Sequence, residues 1–356
     1  MVLFLVRSEM KISMTHSLMQ SEILQASQVL ERLYAEAAEQ VQALARQIVT
    51  DDARICVTVA RGSSDHAAHH FSALMARMTG RFVASMPPSW TTVLESAWPA
   101  ERWRPIAFSQ SGRSPDLLAV LQALDPAGRH SAAFVNDAGS PLAQAVKHPI
   151  DLQAYPERAV AATKSVLAQL LAGAMLVEAC ADGGKGHPVL AAELQALASA
   201  VDQALDAAPW DLGPGWAQAG HLLVVGRGQS LAIAHEIALK CKEVCQLHAE
   251  AISAAELRHG PQALADAGLH VLVLAPDDLG AQALHETATH MTQLGAVVAC
   301  AGPHSWCDLP VPAFGMQFVA GLPLLAAAYR WVEALSRARG LDPDRPRHLT
   351  KVTLTL

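Results

Sequence analysis

One local pattern occurs twice in the chain at a fixed distance. Ala60-Arg61-Gly62-Ser63-Ser64 runs on to Ala67-Ala68-His69-His70, and Gly226-Arg227-Gly228-Gln229-Ser230 runs on to Ile233-Ala234-His235-Glu236. Arg61 to Arg227 and His69 to His235 are both steps of 166 residues. Each copy follows an apolar run (Ile55 to Val59, then Leu222 to Val225) and opens an alanine-rich stretch of helical character. A strand, a glycine-containing turn and a helix start, used twice, describe a duplicated α/β unit. Such a turn offers backbone N–H groups to an anion. Two subdomains of nucleotide-binding or phosphosugar-binding type are therefore expected, and 356 residues, 51% of them hydrophobic, supply core enough for both.

Periodicity fills in the rest. Residues 16–48 read as a helix from the spacing of Ile23, Leu24, Val29, Leu30, Leu33, Val41, Leu44 and Ile48. The first unit then has strands at 54–60, 82–85, 105–109 and 132–135, a helix at 65–77, and a long apolar helix at 160–178. Gly183, Gly184 and Gly186 mark a linker before a helix at 190–205. The second unit has strands at 222–225, 270–274 and 297–300 and a helix at 321–335. Strands alternating with helices predict parallel sheets. The expected organisation is a tail and helix at 1–50, one unit at 51–188, a second at 189–340 and a C-terminal tail at 341–356.

Charge and composition exclude several classes. A formal net charge of −7 argues against nucleic acid as a partner. Only 17% of residues are charged, which points to surface buried between subdomains or subunits. The six cysteines show no paired spacing, as in a reduced cytosolic protein. Cys241 and Cys245, with His248 nearby, do not complete a four-ligand metal set. In His285-Glu286 with His290, the second histidine is five residues on rather than four, so the zincin pattern fails. Met1 to Val6 is too short for a leader or a membrane span, and no later segment reaches spanning length without polar interruption. No membrane association is expected, and the expected location is cytoplasmic; Met10 and Met14 are alternative starts.

The sharpest chemical signal is Phe108-Ser109-Gln110-Ser111-Gly112-Arg113-Ser114-Pro115-Asp116. It ends a strand and opens a helix. Three hydroxyls, an amide and the free N–H groups of a helix start suit a phosphate dianion, with Gly112 letting the backbone approach. A serine-rich helix cap is the plain alternative; the position at the carboxyl end of a parallel strand favours the phosphate site.

This loop resembles the phosphate loop of sugar isomerase (SIS) domains, and Arg61-Gly62-Ser63-Ser64 resembles the first-strand turn of the same fold. Ala238-Leu239-Lys240-Cys241-Lys242-Glu243, His248-Ala249-Glu250, Glu256-Leu257-Arg258-His259-Gly260-Pro261 and Pro346-Arg347-His348-Leu349-Thr350-Lys351 resemble the isomerase half of glucosamine-6-phosphate synthases. Residues 157–164 resemble that family's connecting segment, so the likeness runs from about residue 16 to the end. It implies two tandem SIS subdomains, each a parallel α/β sheet flanked by helices in a Rossmann-like or flavodoxin-like manner.

The resemblance also implies roles. Ser64, Ser109, Gln110, Ser111 and Ser114 would bind the sugar phosphate, with backbone contacts from Val160 and Ala161. Glu243 would shuttle a proton between C1 and C2, Lys240 would assist, and Lys351 would approach the substrate carbonyl. His259 would open the sugar ring from the partner subunit of a homodimer. The chemistry suits these residue types: one carboxylate can move a proton between adjacent carbons, and an ammonium can steady the developing oxyanion. Lys240 and Glu243, three apart, share a helix face. Histidine donates and accepts near neutrality.

Arg113, Pro115 and Thr350 depart from the synthase pattern, and no glutaminase unit is expected, since Val2 follows Met1 and the first cysteine, Cys56, sits in a strand. The expected reaction converts glucosamine 6-phosphate and water to fructose 6-phosphate and ammonia, with no metal or organic cofactor. Alternatives are a fructosamine-phosphate deglycase, an ammonia-dependent synthase-like isomerase and a sugar-phosphate sensor without turnover.

Overall fold

The computed structural model describes residues 16–51, 54–99 and 102–351. Among these, ten strands form two five-stranded sheets in which every pairing is parallel. The first holds β1 (Ile55–Val59), β2 (Ala84–Ser85), β3 (Trp103–Ser109), β4 (Ala132–Val135) and β5 (His148–Asp151), in the order β2-β1-β3-β4-β5. The second holds β6 (His221–Gly226), β7 (His248–Ser253), β8 (His270–Leu274), β9 (Val297–Gly302) and β10 (Leu309–Pro310), in the order β10-β9-β8-β6-β7. Read from its other edge, the second order repeats the first, which is the flavodoxin-like 2-1-3-4-5. Strands β1 and β6 begin 166 residues apart, so the repeat in sequence is a repeat in topology.

The duplicated helices, Gly62–Thr79 and Ser230–Cys245, pack against each other between the sheets. Beside them lies the helix Lys164–Ala181, buried along nearly its whole length between Gly62–Thr79 and Ala26–Thr50. Its apolar side chains point all round, as befits a helix with no solvent face. By length and composition it is the one helix among the described residues that could cross a membrane, but it is the core of this fold. Burying each of Leu167, Leu171 and Leu176 contributes about 1.5–3 kcal/mol. Gly173 permits the close packing: a Cβ there would meet Phe71 Cβ at 3.3 Å. Its charged residues are partnered. Lys164 Nζ donates to Gln25 Oε1 (2.7 Å) and to the Pro156 carbonyl (3.0 Å), and Glu178 accepts from the N–H groups of Val189 and Leu190 at the start of the helix Pro188–Asp206.

The expected elements differ from the observed ones in specific ways. The helix over 16–48 is two helices, Leu18–Ile23 and Ala26–Thr50, parted by a tight turn in which Gln25 N–H donates to the Glu22 carbonyl. That break brings the Glu22 carboxylate to the N–H groups of Arg158 and Ala159. The long apolar helix begins at Lys164 rather than residue 160, and 160–163 is a loop that enters the site. The two-residue β10 was not anticipated, nor were β5 and β7. Both are edge strands, β5 is four residues with Pro149 in it, and such strands carry little periodic signal. The helix Ala281–Gln293 was likewise not among the expected elements. Residues 352–356, the end of the expected C-terminal tail, where Val352, Leu354 and Leu356 alternate with threonine as in a docked strand, lie outside the described residues.

Candidate active site

Strands β1 and β3 lie side by side, and the chain leaves their carboxyl ends in opposite directions, toward β2 and toward β4. That divergence opens a crevice, the usual ligand position in an open parallel sheet. A cavity of about 290 Å³ occupies it. The turn after β1 contributes Arg61, Gly62, Ser63 and Ser64; the loop after β3 contributes Ser109, Gln110, Ser111 and Ser114.

The loop is held in shape by its own atoms. Ser109 Oγ accepts from the Gly112 N–H (3.1 Å) and Ser111 Oγ from the Arg113 N–H (3.3 Å). Gly112 has φ +62°, and a Cβ there would lie 2.1 Å from Ser140 Oγ, so only glycine fits. Ser114 is the N-cap of the helix Pro115–Leu124, yet its side chain makes no cap hydrogen bond and faces the cavity. Ser64 Oγ accepts from Gln169 Nε2 (3.0 Å), which leaves its proton to donate. Arg113 pairs with Asp137 (2.7 Å) and does not line the cavity.

The opposite wall comes from the second half. Lys240 and Glu243, on the helix Ser230–Cys245, both line the cavity and are bonded to each other. Lys240 is fully buried and also lies 3.7 Å from Glu236 Oε1. Burial alone would strip its proton. The carboxylates of Glu236 and Glu243, with Glu157 beyond, outweigh that and hold the ammonium above the usual lysine range. Lys240 is therefore a standing cation, a donor rather than a base. Glu236 is equally buried. Its burial is outweighed by Lys240, His66 and Tyr329, which hold it below the usual carboxylate range.

Lys351 completes the floor. Its ammonium lies 3.1 Å from Glu157 Oε2. Glu157 is buried and accepts from Thr163 N–H (3.0 Å), Ser165 N–H (3.2 Å) and Ser165 Oγ (2.7 Å). Burial raises its pKa, but Lys351 and these donors prevail and lower it below the ordinary value.

Of the residues singled out in the sequence, Ser64, Ser109, Gln110, Ser111, Ser114, Val160, Lys240, Glu243 and Lys351 share this one cavity. Ala161 does not line it; Ala162 does, and Ala161 is buried. His259 is exposed and lines a different cavity of about 250 Å³, with Arg227, Arg258 and Glu286. Ser63 and Arg61 were not expected to line the site, nor Glu157, Glu236, His66 and Tyr329 to support it. Glu236 stood in the repeat, four residues before Lys240, the spacing that puts two side chains on one helix face. His66 and Tyr329 had no signal, because their partner is distant in sequence.

The equivalent crevice in the second half lacks the hydroxyl-rich loop. The 166-residue offset sets Ala275, Pro276 and Asp277 against Ser109, Gln110 and Ser111. Hydroxyls are replaced by a carboxylate that repels phosphate. The first helix lacks the Lys–Glu pair in turn: Leu74 and Arg77 stand opposite Lys240 and Glu243. Each half has kept one part, and the site is composite. Among the described residues no group of three or more His, Cys, Asp or Glu is placed to hold a metal ion.

Comparison with known proteins settles the family. The SIS domain model matches residues 50–179 and 216–300, the two regions that carry the sheets. The chain belongs to the SIS domain family. It is 32% identical over 268 residues to a glutamine–fructose-6-phosphate aminotransferase (isomerizing) from Bradyrhizobium diazoefficiens, a match covering 69% of this chain and 43% of that enzyme. The SIS chain thus spans less than half the length of that relative. A crystal structure from Silicibacter pomeroyi DSS-3, of a protein provisionally described as a phosphosugar isomerase, is 35% identical with a TM-score of 0.81, covering 92% of this chain and all of that one. The fold is also that of a glucosamine-6-phosphate deaminase from Thermotoga maritima, with 20% identity, a TM-score of 0.72 and coverage of 95% and 100%.

Proposed function

We propose that this SIS protein is a phosphosugar isomerase, and that it acts as a deaminase, turning glucosamine 6-phosphate and water into fructose 6-phosphate and ammonia. One observation carries the reading: a carboxylate, Glu243, and a buried ammonium, Lys240, face a hydroxyl-rich anion loop across a single cavity. A site that only sensed a sugar phosphate would need the loop. It would have no use for a desolvated lysine between two carboxylates, an arrangement costly to bury without a task.

The phosphate binds at 109–114, where helix N–H groups and hydroxyls meet it. That fixes the sugar's other end near Glu243. His259 of a second copy opens the ring, so the working unit is a homodimer with shared sites in the cytoplasm. Glu243 removes the C2 proton from the open-chain aldehyde, and its electron pair forms the C1–C2 enolamine. Lys240 donates to the oxygen on C1 as negative charge builds there. Glu243 returns the proton to C1, leaving an imine at C2. Water adds to C2 and ammonia departs. No electrons are gained or lost overall.

The related aminotransferases draw nitrogen from glutamine, by their name, and this chain matches only part of their length.

The test is ammonia release from purified protein given glucosamine 6-phosphate, galactosamine 6-phosphate and a fructosamine phosphate in parallel. The expected result is fastest release from the first. Release only from the fructosamine phosphate would make the protein a deglycase, and binding without any release would make it a sensor.

A further inference from the structure

The two halves of the site ride on different helices, and one contact joins those helices beside the chemistry. His66 stands in the first turn and a half of Gly62–Thr79, the helix that the cavity-lining turn Arg61–Ser64 opens. Its Nδ1 lies 3.0 Å from Glu236 Oε2 on the partner helix. A carboxylate oxygen only accepts, so the ring's Nδ1 carries the hydrogen. The other carboxylate oxygen, Oε1, accepts from Tyr329 OH (2.9 Å) and faces Lys240 Nζ at 3.7 Å. Glu236 is thus held from two sides by donors on two other helices and presents its remaining charge to Lys240. The side chains of Glu236 and Lys240 are each only 1% exposed, so no water competes for these contacts. His235 stacks on His66 (centroids 5.7 Å), which fixes the ring plane.

We propose that His66 is a positioning residue: by donating to Glu236 it locks the helix carrying Lys240 and Glu243 in register with the helix that rises from the anion-binding turn. The inference rests on the isomerase reading of the site given above. His66 touches no reacting atom. Its effect passes through Glu236 to the ammonium, and from there to Glu243. The position is also asymmetric within the repeat: the offset of 166 sets Ala232 opposite His66 and His70 opposite Glu236, so the second helix cannot form the reciprocal clamp.

The test compares His66→Phe, which keeps a flat ring without a donor, with His66→Asn, whose amide can donate from nearly the same place. Glucosamine 6-phosphate turnover and inhibition by inorganic phosphate are measured for each. His66→Phe should lower kcat at least tenfold with KM and the phosphate inhibition constant within twofold, since small misplacement of a reacting group costs rate more than binding. His66→Asn should stay within threefold of wild type. Tyr329→Phe, which removes the other donor and disturbs packing least, should lower kcat three- to tenfold at unchanged KM, and it serves if His66→Phe does not fold. Wild-type kcat in His66→Phe, or an equal loss in His66→Asn, would overturn the inference while leaving the enzyme assignment intact. Should wild type turn over no amino-sugar phosphate, the assignment fails instead. A crystal structure of His66→Phe then decides the inference: Lys240 Nζ should leave its place between Glu236 and Glu243, and an unmoved ammonium would refute the clamp.

Discussion

Lys351→Met isolates a charge that the fold has buried. Lys351 is the last residue described, and tails of this kind usually fray. Here its ammonium lies 3.1 Å from Glu157 Oε2, in a side chain 23% exposed against 0% for its partner. Two unit charges at that separation attract by about 5 kcal/mol at an effective dielectric of ~20. Desolvation and partial solvent access take back much of that. Glu157 also retains three donors from Thr163 and Ser165 when the lysine is gone. The net loss should therefore be about 2 kcal/mol, below the ~3–5 kcal/mol of a fully buried pair that loses one member. Urea unfolding at pH 7.5 of Lys351→Met, Glu157→Gln and the double variant reads it, with a coupling energy of about 1–3 kcal/mol. The pH dependence has a definite sign. Glu157 is held below its ordinary value of 4.5, so its stabilisation is present above that value and is lost as pH falls through the folded-state value. The deficit of Lys351→Met should therefore shrink in acid. A wild-type midpoint for Lys351→Met at pH 7.5, with coupling near zero, would mean that the tail is not docked and would remove Lys351 from the site.

Three further outcomes are expected. Ser111→Ala should raise KM for the sugar phosphate about tenfold, the worth of one charge-assisted hydrogen bond, with kcat little changed; steady-state kinetics decide, and an unchanged KM would argue against the anion loop. Glu243→Gln and His259→Ala should each be nearly inactive as pure proteins, yet regain about a quarter of wild-type activity when unfolded together and refolded, because half the dimers then hold one intact site; no regain would place His259 outside the partner's site. His70 is buried with its pKa lowered to about 4, so the stability of its neutral form is complete above pH ~6.5 and is lost as pH falls toward 4. Across that window wild type should lose about 3 kcal/mol more than His70→Leu, measured by urea unfolding at each pH, and parallel pH curves would refute the assignment.

Much of the fold is legible in the sequence. The 166-residue repeat announced two like sheets, because strand, turn and helix start are each written locally. The Ser109–Ser114 loop stood out for the same reason, and it lines the cavity. Strands β5 and β7 escaped because edge strands need little apolar alternation: β5 is four residues with a proline, and in the six of β7 only Ala249 is buried. The buried contacts of the carboxylates escaped for a different reason. Glu157 meets Lys351 across 194 residues and Glu236 meets His66 across 170, and no local pattern encodes such contacts. Lys240 and Glu243 were carried over from the family resemblance, and their three-residue step added only that a helix puts both on one face. Ala161 was carried over from the family motif, and a one-residue change in which backbone faces the cavity is below what a motif can fix. Sequence also could not say that Lys240 stays protonated, which follows only from the carboxylates that surround it.

The central claim is that one cavity clamps a phosphate at 109–114 and holds an opened hexose against Glu243. The most direct measurement is a crystal structure after soaking with glucosamine 6-phosphate. The phosphate should lie within hydrogen-bond distance of the Ser109, Ser111 and Ser114 hydroxyls, with C1 and C2 about 3.5 Å or less from the Glu243 carboxylate. A sugar phosphate bound elsewhere, or one whose first two carbons lie beyond the reach of Glu243, would contradict the account.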